Sequence, residues 1–363
     1  MIINSIEIEN FRNIANAILN FGNSLNLLLG SNASGKTNLL EAIYFILTGR
    51  SLRGAKETLL VKNGCEYSRL KCTVTGVDDE SVIQIGFDGK GAKRLKVNGV
   101  SLKRLSRLLS ISAVVSVTPV DIEISSGPPD CRRRFIDSLL AQCFPAYLSA
   151  LNSYGKILKQ KNALLKETTT PDKKQLNVWN SQLADYGGYI LGKRLQFVTF
   201  LSERGPALYS KLYAEESIDF NYKSSFVIKS ESQLKMELRE ALESARGREL
   251  RIRQSVVGPH RDDIDVNVDS KSLRDYGSRG QQRCAMLVMK FASLEYMEKM
   301  RGEKPLLLLD EAVSELDEGR SANLLELSRS VGQVIMASSQ GIENHKHSNE
   351  TKKFAIERGR VSN

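Results

Sequence analysis

The sequence lacks the features of a membrane or exported protein. It has no stretch of eighteen apolar residues, so it predicts no transmembrane helix. The first residues alternate like a β-strand and carry no basic segment or cleavage site, so we expect no signal peptide. The five cysteines are odd in number and have no C-x-x-C spacing, which predicts reduced thiols rather than disulfides or a zinc site. These absences predict a cytoplasmic protein.

The chain also has fewer acidic than basic residues. The chain has 52 lysines and arginines against 42 acidic residues, a net charge of +10. A basic balance favours nucleic acid or an anionic membrane surface as partner. The excess lies in several clusters, and any one of them alone is more often a solvated helix face. The clusters are Lys93-Arg94-Leu95-Lys96, Lys103-Arg104 with Arg107, Arg132-Arg133-Arg134, Lys159-Gln160-Lys161, and Arg246, Arg248, Arg251 and Arg253.

A complete phosphate-binding loop is the most informative motif. The loop is Gly30-Ser31-Asn32-Ala33-Ser34-Gly35-Lys36-Thr37. The apolar run 25–29 before it predicts a buried parallel strand, and helical spacing of apolar residues after it predicts a helix. Backbone N–H groups of such a loop wrap a phosphate, and the helix N-terminus adds its positive dipole end. We expect Lys36 to reach the β- and γ-phosphates and the Thr37 hydroxyl to ligate Mg²⁺ of a bound nucleoside triphosphate.

The character of the chain then changes from strands to helices. Strands are predicted at 2–9, 25–29, 81–88 and 111–118, with hairpin turns at Asn63-Gly64 and Asn98-Gly99. After a composition shift at 125–129, apolar spacing predicts two helices around a turn at 168–172. This arm is too short for a long coiled coil. Strands are expected again at 218–222 and 264–268, separated by a charged helix at 232–249.

An acidic pair near the C-terminus supplies the second half of the predicted site. Four leucines follow Pro305 and end in Asp310 and Glu311. This pattern predicts a buried strand with carboxylates at its C-terminal end, where α/β sheets place ligands. Asp310 is suited to hold Mg²⁺, and Glu311 is placed to polarise the attacking water as a general base. The alternative is a strand that simply ends at an acidic turn. This explanation is weaker because the same chain also carries a phosphate-binding loop.

A serine–glycine motif lies between these two elements. Ser278-Arg279-Gly280-Gln281 opens a predicted helix and offers a hydroxyl, a close backbone approach and a dipole end to a phosphate. Taken singly, an ordinary helix N-cap is the more common explanation. The segment Ser314-Glu315-Leu316-Asp317 is likewise uninformative alone.

Taken in order, these motifs resemble those of the ABC-type ATPases. The resemblance implies an α/β ABC-type P-loop ATPase head with a second, largely helical lobe and no long coiled coil. It divides the chain into an N-terminal ATPase part at 1–125, a mainly helical arm at 126–250, and the C-terminal part of the head at 251–363. It also implies a head-to-tail dimer, in which Ser278, Gly280 and Gln281 of one subunit close over the ATP held by the other.

Further motifs are similar to those of the RecF family of SMC-like DNA-repair ATPases. They are Ile8-Glu9-Asn10-Phe11-Arg12-Asn13, the loop extended through Asn38 to Tyr44, Arg132 to Asp137, Asn162 to Leu165, Gly258 to Asp263, and Gly277 to Gln282. The resemblance adds Arg12 and Asn38 to the residues that bind ATP and Mg²⁺. It implies a weak ATPase that dimerises on ATP, binds double-stranded DNA and single-strand/double-strand junctions, and acts with RecR, RecO and RecA in recombinational repair.

Some positions depart from the family pattern. Val120 stands where the family usually has an acidic residue. Ser338-Ser339-Gln340 occupies the place of the histidine that senses the γ-phosphate in transporters, and either serine is a candidate for a weaker version of that role. His260 is more simply structural than catalytic. His345 and His347 are expected to belong to a solvated tail rather than a metal site.

Three other classes of protein share parts of this pattern. A metabolic kinase or a transporter ATPase would explain the phosphate loop but leave the basic helical arm without a role. A defence ATPase paired with a nuclease would share both halves of the site. Activity that requires a neighbouring nuclease would indicate that last class, whereas gap-directed binding with RecR would indicate the RecF family.

Overall fold

The computed structural model describes residues 1–76, 79–167, 172–213, 216–311, 318–339 and 351–362. Within them, the strands are β1 (Ile2–Phe11), β2 (Ile14–Asn20), β3 (Leu25–Leu29), β4 (Tyr67–Thr75), β5 (Glu80–Asp88), β6 (Lys93–Val97), β7 (Val100–Ser101), β8 (Val114–Val117), β9 (Ile218–Lys223), β10 (Asp263–Val268), β11 (Lys271–Ser272), β12 (Leu306–Asp310), β13 (Val334–Ser338), β14 (Lys352–Glu357) and β15 (Arg360–Ser362).

The α-helices of the described residues are α1 (Lys36–Thr48), α2 (Leu105–Ile111), α3 (Glu123–Ser126), α4 (Pro129–Cys143), α5 (Pro145–Glu167), α6 (Lys173–Tyr213), α7 (Leu234–Ser244), α8 (Arg246–Ile252), α9 (Leu273–Tyr276), α10 (Arg279–Arg301) and α11 (Glu318–Ser330). None of these helices combines the length and apolar character needed to cross a membrane.

The chain folds into two compact units. Unit 1 comprises Met1–Asp121, Lys211–Ala214 and Leu287–Asn363, and unit 2 comprises Ile122–Ser210 and Glu215–Met286. Unit 1 holds two six-stranded sheets. One is antiparallel, in the order β2-β1-β4-β5-β6-β7, and the other has the order β15-β14-β3-β13-β12-β8. In the second sheet, β14, β3, β13, β12 and β8 are parallel.

Helix α1 is the centre of unit 1, because it contacts strands of both sheets. It is apolar around most of its circumference, and the side chains of Leu39, Ile43 and Ile46 are fully buried. A helix that is apolar on all sides is stable only when it is covered on all sides. Phe45 adds ring contacts to Phe87 of β5, with centroids 5.1 Å apart. This packing fixes the position of the helix N-terminus, where the phosphate loop lies.

Unit 2 combines helices α3 to α9 with a three-stranded sheet in the order β11-β10-β9. Helices α5 and α6 contact each other, with the rings of Tyr147 and Tyr189 centred 6.4 Å apart. The second predicted arm helix is confirmed as α6, whereas the first is divided at Phe144 into α4 and α5. The predicted turn at 168–172 falls mostly outside the described residues.

Several predicted boundaries need correction. The unit boundary lies at Met286 rather than at 250, because β9 pairs with β10 along its whole length and keeps residues 251–286 in unit 2. The arm is accordingly helical with a small sheet. Asn98-Gly99 joins β6 and β7 as predicted, but Asn63-Gly64 is a turn before β4 rather than a hairpin. The strand predicted at 111–118 is only Val114–Val117, since α2 extends to Ile111. The charged helix at 232–249 is two helices, α7 and α8.

Candidate nucleotide-binding site

The parallel sheet of unit 1 brings the two predicted halves of the site together. The phosphate loop follows β3, and Asp310 ends β12, with β13 between these strands. Leu29 of β3 is in register with Ser338 of β13, and Asp310 is in register with Ala337. Because carboxyl ends of parallel strands meet at one edge of a sheet, residues more than 270 positions apart become neighbours.

The loop is shaped for close approach by a ligand. A Cβ at Gly30 would lie 2.3 Å from the carbonyl oxygen of Ile356, so only glycine fits there. Gly35 has φ of +119° and caps the N-terminus of α1, a conformation that favours glycine. The Ser34 hydroxyl is buried and has no hydrogen-bond partner among the described residues. The first N–H groups of α1 also have no acceptor within the helix. This set of donors fits the phosphates of a nucleotide.

Lys36 points back into the loop. Its Nζ donates to the carbonyl oxygens of Gly30 at 2.8 Å and Ser31 at 3.0 Å, and it lies 3.4 Å from Oε1 of Glu311. The Lys36 side chain is only 3% exposed, whereas that of Glu311 is 29% exposed. Glu311 adopts φ of +49°, which is uncommon for a residue with a side chain. The Lys36 ammonium and Glu311, the predicted general base, are therefore adjacent.

Thr37 and Asp310 are the residues that fit Mg²⁺. The Thr37 hydroxyl donates to Oδ1 of Asp310 at 2.9 Å. Both offer the oxygen ligands that Mg²⁺ prefers. Burial raises the pKa of Asp310, the neighbouring Glu311 raises it further, and the Thr37 hydrogen bond opposes the shift. A divalent cation would supply the positive charge that this buried carboxyl lacks.

Arg12 is engaged by a partner that the sequence did not indicate. Its Nε and Nη2 donate to the two carboxylate oxygens of Glu41 at 2.9 and 3.2 Å, and its Nη1 donates to the carbonyl of Leu59 at 3.0 Å. Glu41 lies on α1 and is fully buried. Arg12 therefore anchors the loop helix, and its predicted contact with nucleotide stays a prediction.

Asn38 reaches the loop through Asn13. Its Nδ2 donates to Oδ1 of Asn13 at 2.8 Å, and Asn13 in turn donates to the carbonyl of Ser34 at 3.4 Å. The C-terminal hairpin adds a brace, because the N–H of Gly359 donates to the same Ser34 carbonyl at 2.7 Å. Sequence reasoning missed this brace. The Arg358-Gly359 turn after an alternating segment was the available signal.

Asp121, rather than Val120, is the acidic residue of the segment after β8. Its Oδ2 accepts from the N–H and the hydroxyl of Thr118 at 2.7 and 2.9 Å. Its Oδ1 accepts from Lys290 at 2.9 Å, and Lys290 also donates to the carbonyl of Ser116 at 2.6 Å. Val120 is 63% exposed. Helix α10 is thus tied to β8, whose Val117 is in register with Leu309 beside the acidic pair.

The serine–glycine motif begins α10, as predicted. It belongs to unit 2, whereas the prediction placed it in the C-terminal part of the ATPase head. The N–H of Ser278 donates to Oε1 of Gln281 at 2.7 Å, and the N–H of Gln281 donates to the Ser278 hydroxyl at 3.2 Å. This reciprocal pair is a capping box. Gln281 also donates to both carboxylate oxygens of Glu216, at 2.9 Å each. Ser278 remains exposed, and Gly280 follows it in the first turn. Ser314 to Asp317, Gln340, His345 and His347 lie outside the described residues.

Two basic clusters, for which a solvated helix face is the more common explanation, are partly internal. Arg132 is 3% exposed and forms a bidentate pair with Asp263, at 2.7 and 2.8 Å. Lys161 is fully buried and lies 2.7 Å from Glu249. Both are in unit 2, where helices α4, α5 and α8 bury one face each. These residues hold the unit together, and that removes them from the candidates for nucleic-acid contact.

His260 is structural, in line with expectation. Its Nδ1 lies 2.7 Å from the hydroxyl of Tyr154, and its Nε2 lies 3.3 Å from the carbonyl of Ser255. Burial lowers the pKa of His260 from 6.5 to about 4. At neutral pH the ring is therefore uncharged.

Comparison with known proteins assigns the family. The model of the RecF/RecN/SMC N terminal domain matches residues 2–361. The DNA replication and repair protein RecF of Ruminiclostridium cellulolyticum is 36% identical, over 92% of each chain. The RecF protein of Shouchella clausii is 34% identical, over 99% of each chain. The chain belongs to the RecF family.

Solved structures agree with this assignment. A structure of the recombination mediator protein RecF with ATP, from the RecFOR pathway, has a TM-score of 0.89 at 32% identity, and covers 99% of this chain and 96% of its own. An SMC head bound to part of ScpA covers 100% of this chain and 96% of its own, with a TM-score of 0.59 at 16% identity. The latter shows the shared fold alone. The fold is that of an ABC-type P-loop ATPase head with a second, largely helical lobe and, among the described residues, no long coiled coil.

Proposed function

We propose that this protein is an ATP-gated, DNA-binding dimer of recombinational repair, in which slow hydrolysis acts as a timer. The observation that carries the proposal is the meeting of Lys36, Thr37, Asp310 and Glu311 in one chain whose relatives include RecF with bound ATP. Membership of the RecF family favours this function over a kinase, a transporter ATPase or a nuclease-linked defence ATPase.

We assign roles from the contacts of each residue. Lys36 binds the β- and γ-phosphates, because its ammonium is already held against the loop. Thr37 and Asp310 hold Mg²⁺, which supplies positive charge beside the phosphates. Glu311 positions the attacking water and accepts its proton. The remaining contacts to the γ-phosphate come from a second copy.

The second copy supplies the serine–glycine motif. Ser278 is exposed at the N-terminus of the 23-residue helix α10, which is a ready anion site. Its capping box with Gln281 fixes the first turn before any ligand arrives. Two such motifs closing on two nucleotides make dimerisation dependent on ATP.

The partners follow from the family. We propose that the ATP-bound dimer binds double-stranded DNA at single-strand gaps, and that it acts with RecR and RecO to help load RecA. The net charge of +10 supports contact with a phosphate backbone. Such binding depends on salt and shows little preference for base sequence.

Substitution of Glu311 by Gln tests the proposal. The amide keeps the shape of the side chain but cannot accept the proton from water, so we expect the variant to stay dimeric and DNA-bound with ATP while turnover falls by at least ~100-fold. Lys36→Met is expected to abolish the ATP-dependent dimer. Dimerisation is measured by sedimentation, and DNA binding by fluorescence anisotropy on gapped duplex.

The control is Glu326→Gln, the same chemical change at an exposed position on α11. It should behave as wild type in both assays. A Glu311→Gln protein that stays monomeric with ATP, or that ignores gapped DNA, would contradict the proposed function.

A further inference from the structure

The outward face of the antiparallel sheet carries two rows of basic side chains. Arg69 of β4 and Arg94 of β6 both lie in register with Gly86 of β5. Lys71 and Lys96 lie in register with Gln84 in the same way. Residues directly opposite each other on neighbouring strands share a face of the sheet. Arg69, Lys71, Arg94 and Lys96 therefore form one surface, which we call the cationic face.

The spacing of the four cations suits a chain of phosphates. Strands β4 and β6 are two strand spacings apart, about 10 Å, and successive outward residues are about 7 Å apart along a strand. Each DNA strand carries one phosphate per ~3.4 Å of helix axis, so one such step spans about two phosphates.

Gly86 leaves an open notch at the centre of this surface. A Cβ built at Gly86 meets no atom within 4 Å, so the space directly above Gly86, between Arg69 and Arg94, is open. Gln84, next along β5, adds an amide that can donate to a phosphate oxygen. A ligand can therefore sit low between the two rows, within reach of side chains from both.

The acids that form ion pairs with these cations lie on β1. Glu7 of β1 is 2.7 Å from Lys71, and Glu9 of β1 is 3.8 Å from Arg69. Among the described residues, Arg94 and Lys96 form no ion pair, and both are exposed. Glu80 and Asp88 of β5 lie on the same face, at the two ends of that strand. Neither forms an ion pair with Arg94 or Lys96 among the described residues, so the charges on β6 are available to an external anion.

The positive charge continues past the end of the sheet. Lys103, Arg104 and Arg107 follow β7 and are exposed. They lie in the segment that leads into α2 and along its first turn. A ligand that covers the β6 side would have further cations to contact along its length.

We infer that the cationic face binds the phosphodiester backbone of duplex DNA. The inference rests on the proposed function, and it identifies the part of unit 1 that makes the contact. An acidic protein surface would also be attracted by the charge, but the open notch and the two facing pairs of cations, each about 7 Å apart, match a regular polyanion. The contact reads no base sequence, because it consists of charges facing phosphates.

The test removes the two unpaired cations from the full-length protein. Arg94→Gln with Lys96→Gln is expected to weaken MgATP-dependent binding to gapped duplex about eightfold per contact at 0.1 M salt, or about 60-fold together, from a salt slope of −0.9 per phosphate. The slope of log K against log salt should fall by about 2. The control is Arg248→Gln with Arg251→Gln, which removes the same charge from an exposed cluster of unit 2.

A matched pair at Gly86 tests the notch without removing any cation. Both Gly86→Asp and Gly86→Asn fit the open space, and only the first adds a negative charge. We expect Gly86→Asp to bind gapped duplex at least ~10-fold more weakly than Gly86→Asn at 0.1 M salt, with the difference closing as salt rises.

The dimerisation and DNA-binding assays together distinguish a failure of the proposed function from a failure of the cationic face. All of these variants should still form the dimer, because none of them lies in the nucleotide site. If the wild type itself fails to bind gapped duplex, the proposed function fails. If the wild type binds but the Arg94/Lys96 variant loses no more than its control, or Gly86→Asp and Gly86→Asn bind equally, then the cationic face is not the contact. Binding of an acidic polypeptide in preference to duplex would also overturn the inference.

Discussion

The ion pair between Arg12 and Glu41 offers a quantitative test of how the nucleotide site is supported. Glu41 is fully buried on α1, and its carboxylate accepts hydrogen bonds from Nε and Nη2 of Arg12 and from the hydroxyl of Ser51, the last at 2.6 Å. Arg12→Met removes the cation and leaves the carboxylate behind. Loss of one partner from a buried pair costs about 3–5 kcal/mol. Because Ser51 remains and Arg12 is 21% exposed, we expect the low end, about 3 kcal/mol.

The reverse substitution should cost less. In Glu41→Met the remaining Arg12 can turn its charge towards water and keeps its hydrogen bond to Leu59, so we expect a loss of about 1–2 kcal/mol. The double variant removes both charges and should recover about 2 kcal/mol relative to Arg12→Met. This asymmetry follows from the unequal burial of the two partners.

Urea unfolding followed by circular dichroism measures these differences. The two units need not unfold together, so the transition of unit 1 is identified as the one that MgATP shifts, by about 2.7 kcal/mol at 100 times the Kd. Equal costs for the two single variants, or no recovery in the double variant, would refute the assignment of a buried pair.

The same variants show whether Arg12 also contacts nucleotide. If Arg12 acts only through Glu41, ATP affinity should fall in Arg12→Met and return in the double variant along with stability. A double variant that is stable but still binds ATP weakly would instead support the direct contact that the family resemblance implies.

Two further predictions concern unit 2, whose unfolding is reported by the single tryptophan of the chain, Trp179. Lys161→Met leaves Glu249 buried without its cation and should lower the free energy of unfolding by about 3–5 kcal/mol, with recovery in Lys161→Met/Glu249→Met; equal stability of the two variants would contradict this. His260 contributes stability that is complete above pH 6.5 and is lost as pH falls towards 4, because the unfolded chain takes up a proton that the folded ring excludes. The wild type should therefore lose up to about 3 kcal/mol more than His260→Gln between pH 7 and pH 4, and parallel curves would contradict it.

The sequence predicted the site well where the motifs are contiguous. Residues 30–37 could be assigned to a phosphate loop because strand, glycines and helix follow one another directly. The approach of Asp310 to Thr37 also followed, since carboxyl ends of parallel strands share an edge. What could not be predicted were partners that depend on how distant elements pack, such as Glu41 for Arg12 and Gly359 for Ser34.

The spacing of residues on α5 shows that the burial of Lys161 could have been predicted from a local pattern. Ile157, Lys161 and Leu165 are spaced by four residues, so they share one face of α5, and both apolar residues are buried. The pattern predicts that Lys161 lies on the apolar face. It does not predict Glu249 as the partner of Lys161, because no local rule connects α5 with a helix more than 80 positions away. The domain boundary at 250 was missed for a related reason, since pairing of β9 with β10 is long-range.

The contact between Lys36 and Glu311 changes how the proposed experiment at Glu311 should be interpreted. In the present arrangement the Glu311 carboxylate lies 3.4 Å from the ammonium that phosphates must also reach, so the two anions compete for one cation. Glu311 is held there with φ of +49°, a conformation that costs about 1–2 kcal/mol in an ordinary residue. Glu311→Gln removes this competitor as well as the general base. Its ATP complex should therefore persist for two separate reasons, and only the affinity of the monomer for ATP, compared with that of wild type, separates tighter binding from slower hydrolysis.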